Sequence, residues 1–179
     1  MDTSLFYFFY NLGQKINTDG LIVFLGSYLI YLAVAIFLFL LFKEKDLKKR
    51  VYWINLFLLV EIAGRGVLTQ AIRFFYDRPR PFASLGLEPL ISHSPGGSFP
   101  SGHDVFLLIL VFIVFLINKK WGWILTLITI LVAVSRVIAG IHWPLDVFGS
   151  LVVALVSFGL IYYLLMPPKK FVTSDQNTS

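Results

Sequence analysis

The sequence predicts an all-α membrane protein: a polytopic helix bundle of about five transmembrane helices with a short N-terminal interfacial helix. Three observations carry this. Hydrophobic residues make up 58% of the 179-residue chain and charged residues only 14%, with a mean hydropathy of +0.81. An ordinary soluble domain is roughly half apolar and a quarter charged. The apolar residues lie in long continuous stretches, which favours helices over the alternating strands of a membrane barrel. The lysines and arginines between the stretches have a pattern of their own, and it sets an orientation.

The elements follow in order. LFYFFYNL (5–12) is aromatic and too short to span, so a helix lying in the interface is expected there. It lacks the basic start and small-residue cleavage site of a signal peptide, so it is expected to be retained. Leu21–Phe42 carries no charge and reads as the first span; Val51–Ile72 reads as the second, interrupted by Glu61 and Arg65. Val105–Ile117 continues a helix begun near Ser101. Trp123–Gly140 and Trp143–Met166 are the last two spans, with a short break at Ile141–His142. Each is long enough, with its flanks, for about 30 Å of hydrocarbon. Residues 1–170 are expected to form one membrane-embedded domain, followed by a flexible polar tail at 171–179.

With five spans, KEKDLKKR (43–50), NKKWG (118–122) and Lys169–Lys170 fall on one side. The other side has only Lys15 besides Arg73, Arg78, Arg80 and Arg136. The positive-inside rule then puts the N-terminus outside and the C-terminus in the cytoplasm. The net charge of +5 is thereby a topology signal, and nucleic acid is not an expected partner. The chain has no cysteine, which excludes disulfides and thiolate chemistry.

The outer side collects polar groups from three separated segments: RFFYDRPRPF (73–82), PSGH (100–103) and SRVIAGIHWPLD (135–146). Ionisable groups near hydrocarbon are expensive, so the cluster reads as a functional site. Arginines aimed at one point suit a phosphate, which they grip bidentately. Ser101 can donate a hydroxyl hydrogen bond, Gly102 permits close backbone approach, and a helix beginning here offers free N–H groups to an anion. Of two histidines, one can attack phosphorus while the other protonates the leaving oxygen. Asp146, four residues after His142, can accept from one imidazole nitrogen and leave the other free.

These segments resemble the signature of the type-2 phosphatidic acid phosphatase superfamily of membrane lipid phosphatases. That pattern is Lys, six residues, Arg-Pro; then Pro-Ser-Gly-His; then Ser-Arg, five residues, His, three residues, Asp. Arg80-Pro81, Pro100 to His103, and Ser135-Arg136 through His142 to Asp146 match it in order and spacing, with Arg73 where the pattern has lysine. The resemblance implies His142 as nucleophile, Asp146 as its orienting partner and His103 as general acid. It implies Arg73, Arg80, Ser101, Gly102 and Arg136 as phosphate ligands, with no metal and no cofactor. It further implies a lipid phosphate or diphosphate substrate, undecaprenyl diphosphate being favoured, at the outer leaflet of the cytoplasmic membrane. Phosphatidylglycerophosphate, phosphatidic acid and a lipid A phosphate are the alternatives.

Residues outside the signature have plainer expectations. Glu61 and Arg65 are expected to pair across one helical turn, with Gly64 and Gly66 at a close helix contact. Arg78 is expected among lipid headgroups, His93 as an ordinary residue of loop 82–99, and Asp104 as a first-turn acid. The Phe and Trp residues are expected mostly to face lipid or the interface, with no cofactor implied. A transporter or channel would spread its polar groups through several spans. An intramembrane serine protease using Ser101 would leave the arginines unexplained. Vanadate-dependent haloperoxidases share the signature but are soluble.

Overall fold

The computed structural model describes residues 2–16 and 18–165; the tail and the Lys169–Lys170 pair lie outside the described residues. Those residues form nine α-helices and one π-helical segment, with no strand among them. Helix α1 is Asp2–Ile16, α2 is Asp19–Ser27, α3 is Leu29–Lys43 and α4 is Leu47–Glu61. The π segment Ile62–Leu68 leads directly into α5, Thr69–Phe75. Then come α6 (Pro81–Leu85), α7 (Gly102–Ile117), α8 (Lys119–Ile138) and α9 (Pro144–Leu165).

The first expected span is two helices. The chain jogs at Tyr28, directly after Gly26-Ser27, a pair of the kind at which helices bend. The second runs unbroken from Leu47 to Phe75 through the π segment. Asp46 starts it, accepting from the Lys48 and Lys49 N–H groups at 2.8 and 3.4 Å. Four helical stretches are long and apolar enough to cross a membrane: 19–43, 47–75, 119–138 and 144–165. At 16 residues, α7 is shorter. It is also the best-shielded helix, packed against α3, α4, α8 and α9, with Leu107, Ile109, Leu110 and Ile113 fully buried. A helix apolar on every side is an interior helix, and protein rather than lipid surrounds it. The outer faces carry exposed Phe42, Trp123, Leu127, Phe148 and Tyr163, the surface expected against lipid tails.

Helix α1 extends beyond the expected 5–12 and is docked rather than free. Phe6 is buried, stacked on Tyr10 at 5.5 Å and set against Trp143 at 5.3 Å. Gly13 permits the approach to α8, since a Cβ there would lie 2.2 Å from Ile138 Cγ2. Trp143 is therefore interior, contrary to the expectation for the tryptophans. It fills the space between α1 and the 78–80 segment, and its indole N–H donates to the Pro79 carbonyl at 3.0 Å. Gly64 makes its expected contact, with a Cβ there falling 2.8 Å from Ser157 Oγ of α9; Gly66 does not.

Two features bring distant segments together. The α8–α9 turn needs Gly140, at φ +78°, and its carbonyl accepts the Phe82 N–H at 3.0 Å. Loop 76–100 is zipped onto itself and onto that turn. The Arg80 N–H donates to Pro95 O, Ser98 N–H to Arg78 O, and Leu90 N–H to Ala139 O, at 2.9 to 3.1 Å.

Candidate active site

One cavity of about 210 Å³ lies where the three segments meet. Arg73, Arg80, Gly102, His103, Arg136 and His142 line it, six of the eight residues singled out from sequence. Ser101 and Asp146 sit wholly buried behind them. By the same kind of measure one water needs about 10–15 Å³, so an anion of several heavy atoms has room.

Each side chain is placed by its backbone. Ser101 is the N-cap of α7: its hydroxyl accepts the Asp104 N–H at 3.5 Å, and its carbonyl accepts Val105 N–H at 3.0 Å. The Gly102 and His103 N–H groups at the helix start have no such intrahelical acceptor, which is the usual anion-binding arrangement. Gly102 faces open space between two guanidinium groups. A Cβ there would be 3.6 Å from Arg73 Nη2 and 3.8 Å from Arg65 Nε. Arg73 Nη2 donates to Pro100 O at 2.8 Å. Arg136 Nη1 donates to the Gly26 carbonyl, beside the α2–α3 jog, at 3.0 Å. Arg80 is 2% exposed and donates through Nη1 to Ile141 O at 2.7 Å.

Buried N–H groups are nearly always paired. Here Arg73 Nε, Arg80 Nε and Arg136 Nε and Nη2 are buried without a protein partner. Three arginines around one cavity thus have hydrogen-bonding capacity that the protein does not use, as an oxyanion site requires.

The His142 tautomer follows from its neighbours. Nδ1 lies 3.0 Å from the Ser98 carbonyl, which can only accept, so Nδ1 carries the proton. The Asp146 carboxylate is a longer partner, Oδ2 at 3.4 Å. Nε2 then bears the lone pair, and Arg80 Nη1 donates to it at 3.0 Å. Burial pushes the His142 pKa down to about 3; Asp146 opposes the shift, while Arg136 and Arg80 reinforce it. His142 is therefore a neutral imidazole at pH 7, its ring fixed through Nδ1 and its basic nitrogen facing Arg80. Burial, then Arg136 and Arg73, push Arg80 down to about 10, which leaves it charged.

Asp146 is fixed on both oxygens. Oδ2 accepts the Trp143 N–H at 2.7 Å and the Ser98 hydroxyl; Oδ1 accepts Arg78 Nη1 at 2.7 Å. Arg78 also pairs with Asp2 of α1 and stacks over Trp143, 5.1 Å from the ring centroid. Burial works against its charge, but Asp2 and Asp146 hold its pKa above the ordinary value. Arg78 is thus the counter-ion of the buried carboxylate, not a headgroup ligand. No sequence signal gave this, because its partners are 68 and 76 positions away.

Other expectations are corrected in the same way. Glu61 and Arg65 form no ion pair; Glu61 Oε1 is buried without a partner, and Arg65 lines the cavity. His93 also lines it, its ring centroid 6.4 Å from that of His142. Burial and then the charges of Arg80, Arg136 and Arg73 push the His93 pKa down to about 4. Asp104 does stand in the first turn of α7, as expected, and it is wholly buried there, with neither carboxylate oxygen hydrogen-bonded. Thr69 and Gln70 complete the wall; with Arg65 and Arg73 they follow helical spacing, a signal that sequence reasoning could have used. Among the described residues, no group of three His, Asp or Glu side chains could hold a metal ion.

Residues 54–169 match the family model described as the PAP2 superfamily. The chain is 34% identical over 146 residues to the undecaprenyl-diphosphatase BcrC of Bacillus subtilis, covering 81% of this chain and 73% of that one. It is 28% identical over 168 residues to the bacitracin transport permease protein BcrC of Bacillus licheniformis, covering 91% and 80%. Among solved structures, LpxE of Aquifex aeolicus superposes with a TM-score of 0.70 at 24% identity, covering 90% of this chain and 94% of that one. The last likeness speaks for the fold alone.

Proposed function

This chain belongs to the PAP2 superfamily, and from that premise we propose that it is a membrane phosphatase hydrolysing undecaprenyl diphosphate at the extracytoplasmic leaflet through a phosphohistidine on His142. The observation that carries the reading is the cavity itself: buried, unpartnered arginine N–H groups surround a neutral imidazole whose ring is fixed through Nδ1.

The chemistry follows from that geometry. An entering phosphoryl group competes with His142 for the Arg80 N–H and frees the Nε2 lone pair. Nε2 attacks the terminal phosphorus; the N–P bond forms as the bond to the bridging oxygen breaks. His103 gives its proton to the departing lipid monophosphate. Arg73, Arg80, Arg136 and the Gly102 N–H hold the transferred oxygens and stabilise the charge that develops on them. Water then attacks phosphorus, giving a proton back to His103 as the O–P bond forms and the N–P bond breaks, which releases inorganic phosphate and restores His142. Asp146 orients His142 and stabilises the positive charge that develops on the ring as the N–P bond forms. Ser101 contributes by capping α7 and so aiming the Gly102 and His103 amides.

The choice of lipid rests on the name of the Bacillus subtilis relative. The permease name of the Bacillus licheniformis relative would suggest transport. Against that, the arginines and histidines outside the basic loops, Arg78 apart, converge on one cavity rather than marking a path through the bundle.

The test is phosphate release by purified protein from undecaprenyl diphosphate, undecaprenyl phosphate, phosphatidylglycerophosphate and phosphatidic acid. Undecaprenyl diphosphate should turn over fastest. His142→Ala should lose at least roughly a thousandfold, in the range for removing a catalytic nucleophile. Acid-labile, alkali-stable label from terminally labelled substrate should appear on wild type and not on the variant. Wild-type rates from His142→Ala would reject the assignment. The leaflet is tested by single cysteines in this cysteine-free chain. One at Glu88 should react with an impermeant maleimide in intact cells, and one at Lys45 should not.

A further inference from the structure

Arg65 stands in the middle of a membrane span, is exposed, and forms no ion pair with any described residue. A charged side chain in a span is costly unless it faces a polar cavity, which makes it a functional candidate. Its nearest acid in sequence, Glu61, does not close to an ion pair with it. Its guanidinium instead lies 5.9 Å from the Phe106 ring centroid, with Nε 3.8 Å from the Cβ position that Gly102 leaves open.

The backbone here is unusual. Residues Ile62–Leu68 form a π-helix, and the Thr69 N–H bonds to the Gly64 carbonyl, five residues back. Such segments are rare and occur often at functional sites. Downstream, Thr69 and Arg73 share a helix face with Arg65, and all three line the phosphate cavity.

Arg65 and His103 have a second neighbour. They also line an adjacent cavity of about 220 Å³, whose other walls include Ile30, Tyr31, Val34 and Phe106. The two residues therefore form the boundary between a cationic chamber and an apolar one. A lipid diphosphate has the matching order: terminal phosphoryl group, lipid-linked phosphoryl group, hydrocarbon.

Resting on the reading of a diphosphate substrate, we infer that Arg65 binds the lipid-linked phosphoryl group and so selects lipid diphosphates over monophosphates. The terminal phosphoryl group occupies the Arg73, Arg80 and Arg136 chamber, and the first carbons of the chain enter the apolar cavity. When the bridging bond breaks, the bridging oxygen leaves with the lipid-linked phosphorus and takes the His103 proton. Arg65 offsets the negative charge that gathers there. A monophosphate substrate leaves as an alcohol and has nothing for Arg65 to hold.

The experiment compares wild type, Arg65→Gln and Arg65→Lys in detergent with undecaprenyl diphosphate and undecaprenyl phosphate. Inorganic diphosphate and orthovanadate serve as competitive inhibitors. The ratio of kcat/KM for diphosphate over monophosphate should fall at least tenfold in Arg65→Gln and recover largely in Arg65→Lys. Inhibition by inorganic diphosphate should weaken by a similar factor, and inhibition by vanadate, which probes the terminal chamber, by less than threefold. An equal loss on both lipids, or equal weakening of both inhibitors, overturns the inference, because Arg65 then serves the transferred group or the fold. An unchanged ratio overturns it as well. If Arg65→Gln does not fold, Arg65→Met is read in its place: a diphosphate-over-monophosphate ratio at least tenfold lower supports the inference, and a wild-type ratio overturns it. Wild type that turns over neither lipid would instead sink the parent reading.

Discussion

Replacing Arg78 by alanine removes the only cation among the described residues that touches Asp146 Oδ1. The carboxylate is 0% exposed, and it receives Arg78 Nη1 at 2.7 Å. A hydrogen bond to a charged group contributes about 1.5–3 kcal/mol, and breaking a buried pair costs about 3–5 kcal/mol. The Arg78 side chain is 17% exposed, so water can partly replace it, which favours the lower range. A stability loss of about 2–3 kcal/mol is expected. Catalysis should fall as well, because a shifted Asp146 no longer holds the Trp143 N–H and Ser98 that frame His142. Asp146 itself remains, so the loss should be smaller than for its removal: roughly 10–100-fold in kcat, or about 1.4–2.7 kcal/mol. KM should change little, since Arg78 does not line the cavity. The assay is steady-state phosphate release with a parallel detergent thermal melt. Arg78→Lys should recover part of both quantities, and Asp2→Asn should cost far less than Arg78→Ala. An Arg78→Ala enzyme within twofold of wild type in kcat, with an unchanged melt, would refute the proposed support of Asp146.

Three further outcomes are expected. In the unfolded chain His142 takes a proton near its ordinary value of 6.5, whereas in the folded chain it resists down to about 3. Stability from this group is therefore full above pH 6.5 and declines as pH falls from 6.5 toward 3, by at most about 1.4 kcal/mol per pH unit. Melts between pH 7.5 and 4.5 should show that decline, and His142→Asn should show less of it; equal slopes would mean the imidazole is not buried neutral. Gly149→Ala would put a Cβ 2.2 Å from Phe99 Cε2, beside Ser98 and Pro100, and should cost about 1–3 kcal/mol along with activity. Gly159→Ala meets nothing within 4 Å and should be neutral or slightly stabilising; indistinguishable melts for the two would remove the steric argument. Finally, activity should persist in excess chelator, and loss reversed by an added divalent cation would reject the metal-free scheme.

Much of this protein is written in its sequence. Continuous apolar runs specify helices because lipid admits only helices and closed barrels, and barrel strands would alternate. The Ser101 cap, the Pro144 helix start and the spacing of His142 to Asp146 are local features, and local features can be read from the chain. So the bundle, the three converging segments and six cavity-lining residues were all legible. Tertiary structure decided what depends on partners distant in sequence. It made Arg78 the counter-ion of Asp146 and brought His93 of loop 82–99 to the cavity. It turned Trp143 inward against α1 and gave the Ser98 carbonyl, rather than Asp146, the shorter bond to His142 Nδ1. It also left Glu61 and Arg65 without the ion pair that spacing alone predicted. The physical reason is common to all of these: helical periodicity fixes which face a residue occupies, whereas the group that meets that face is chosen by how the helices pack.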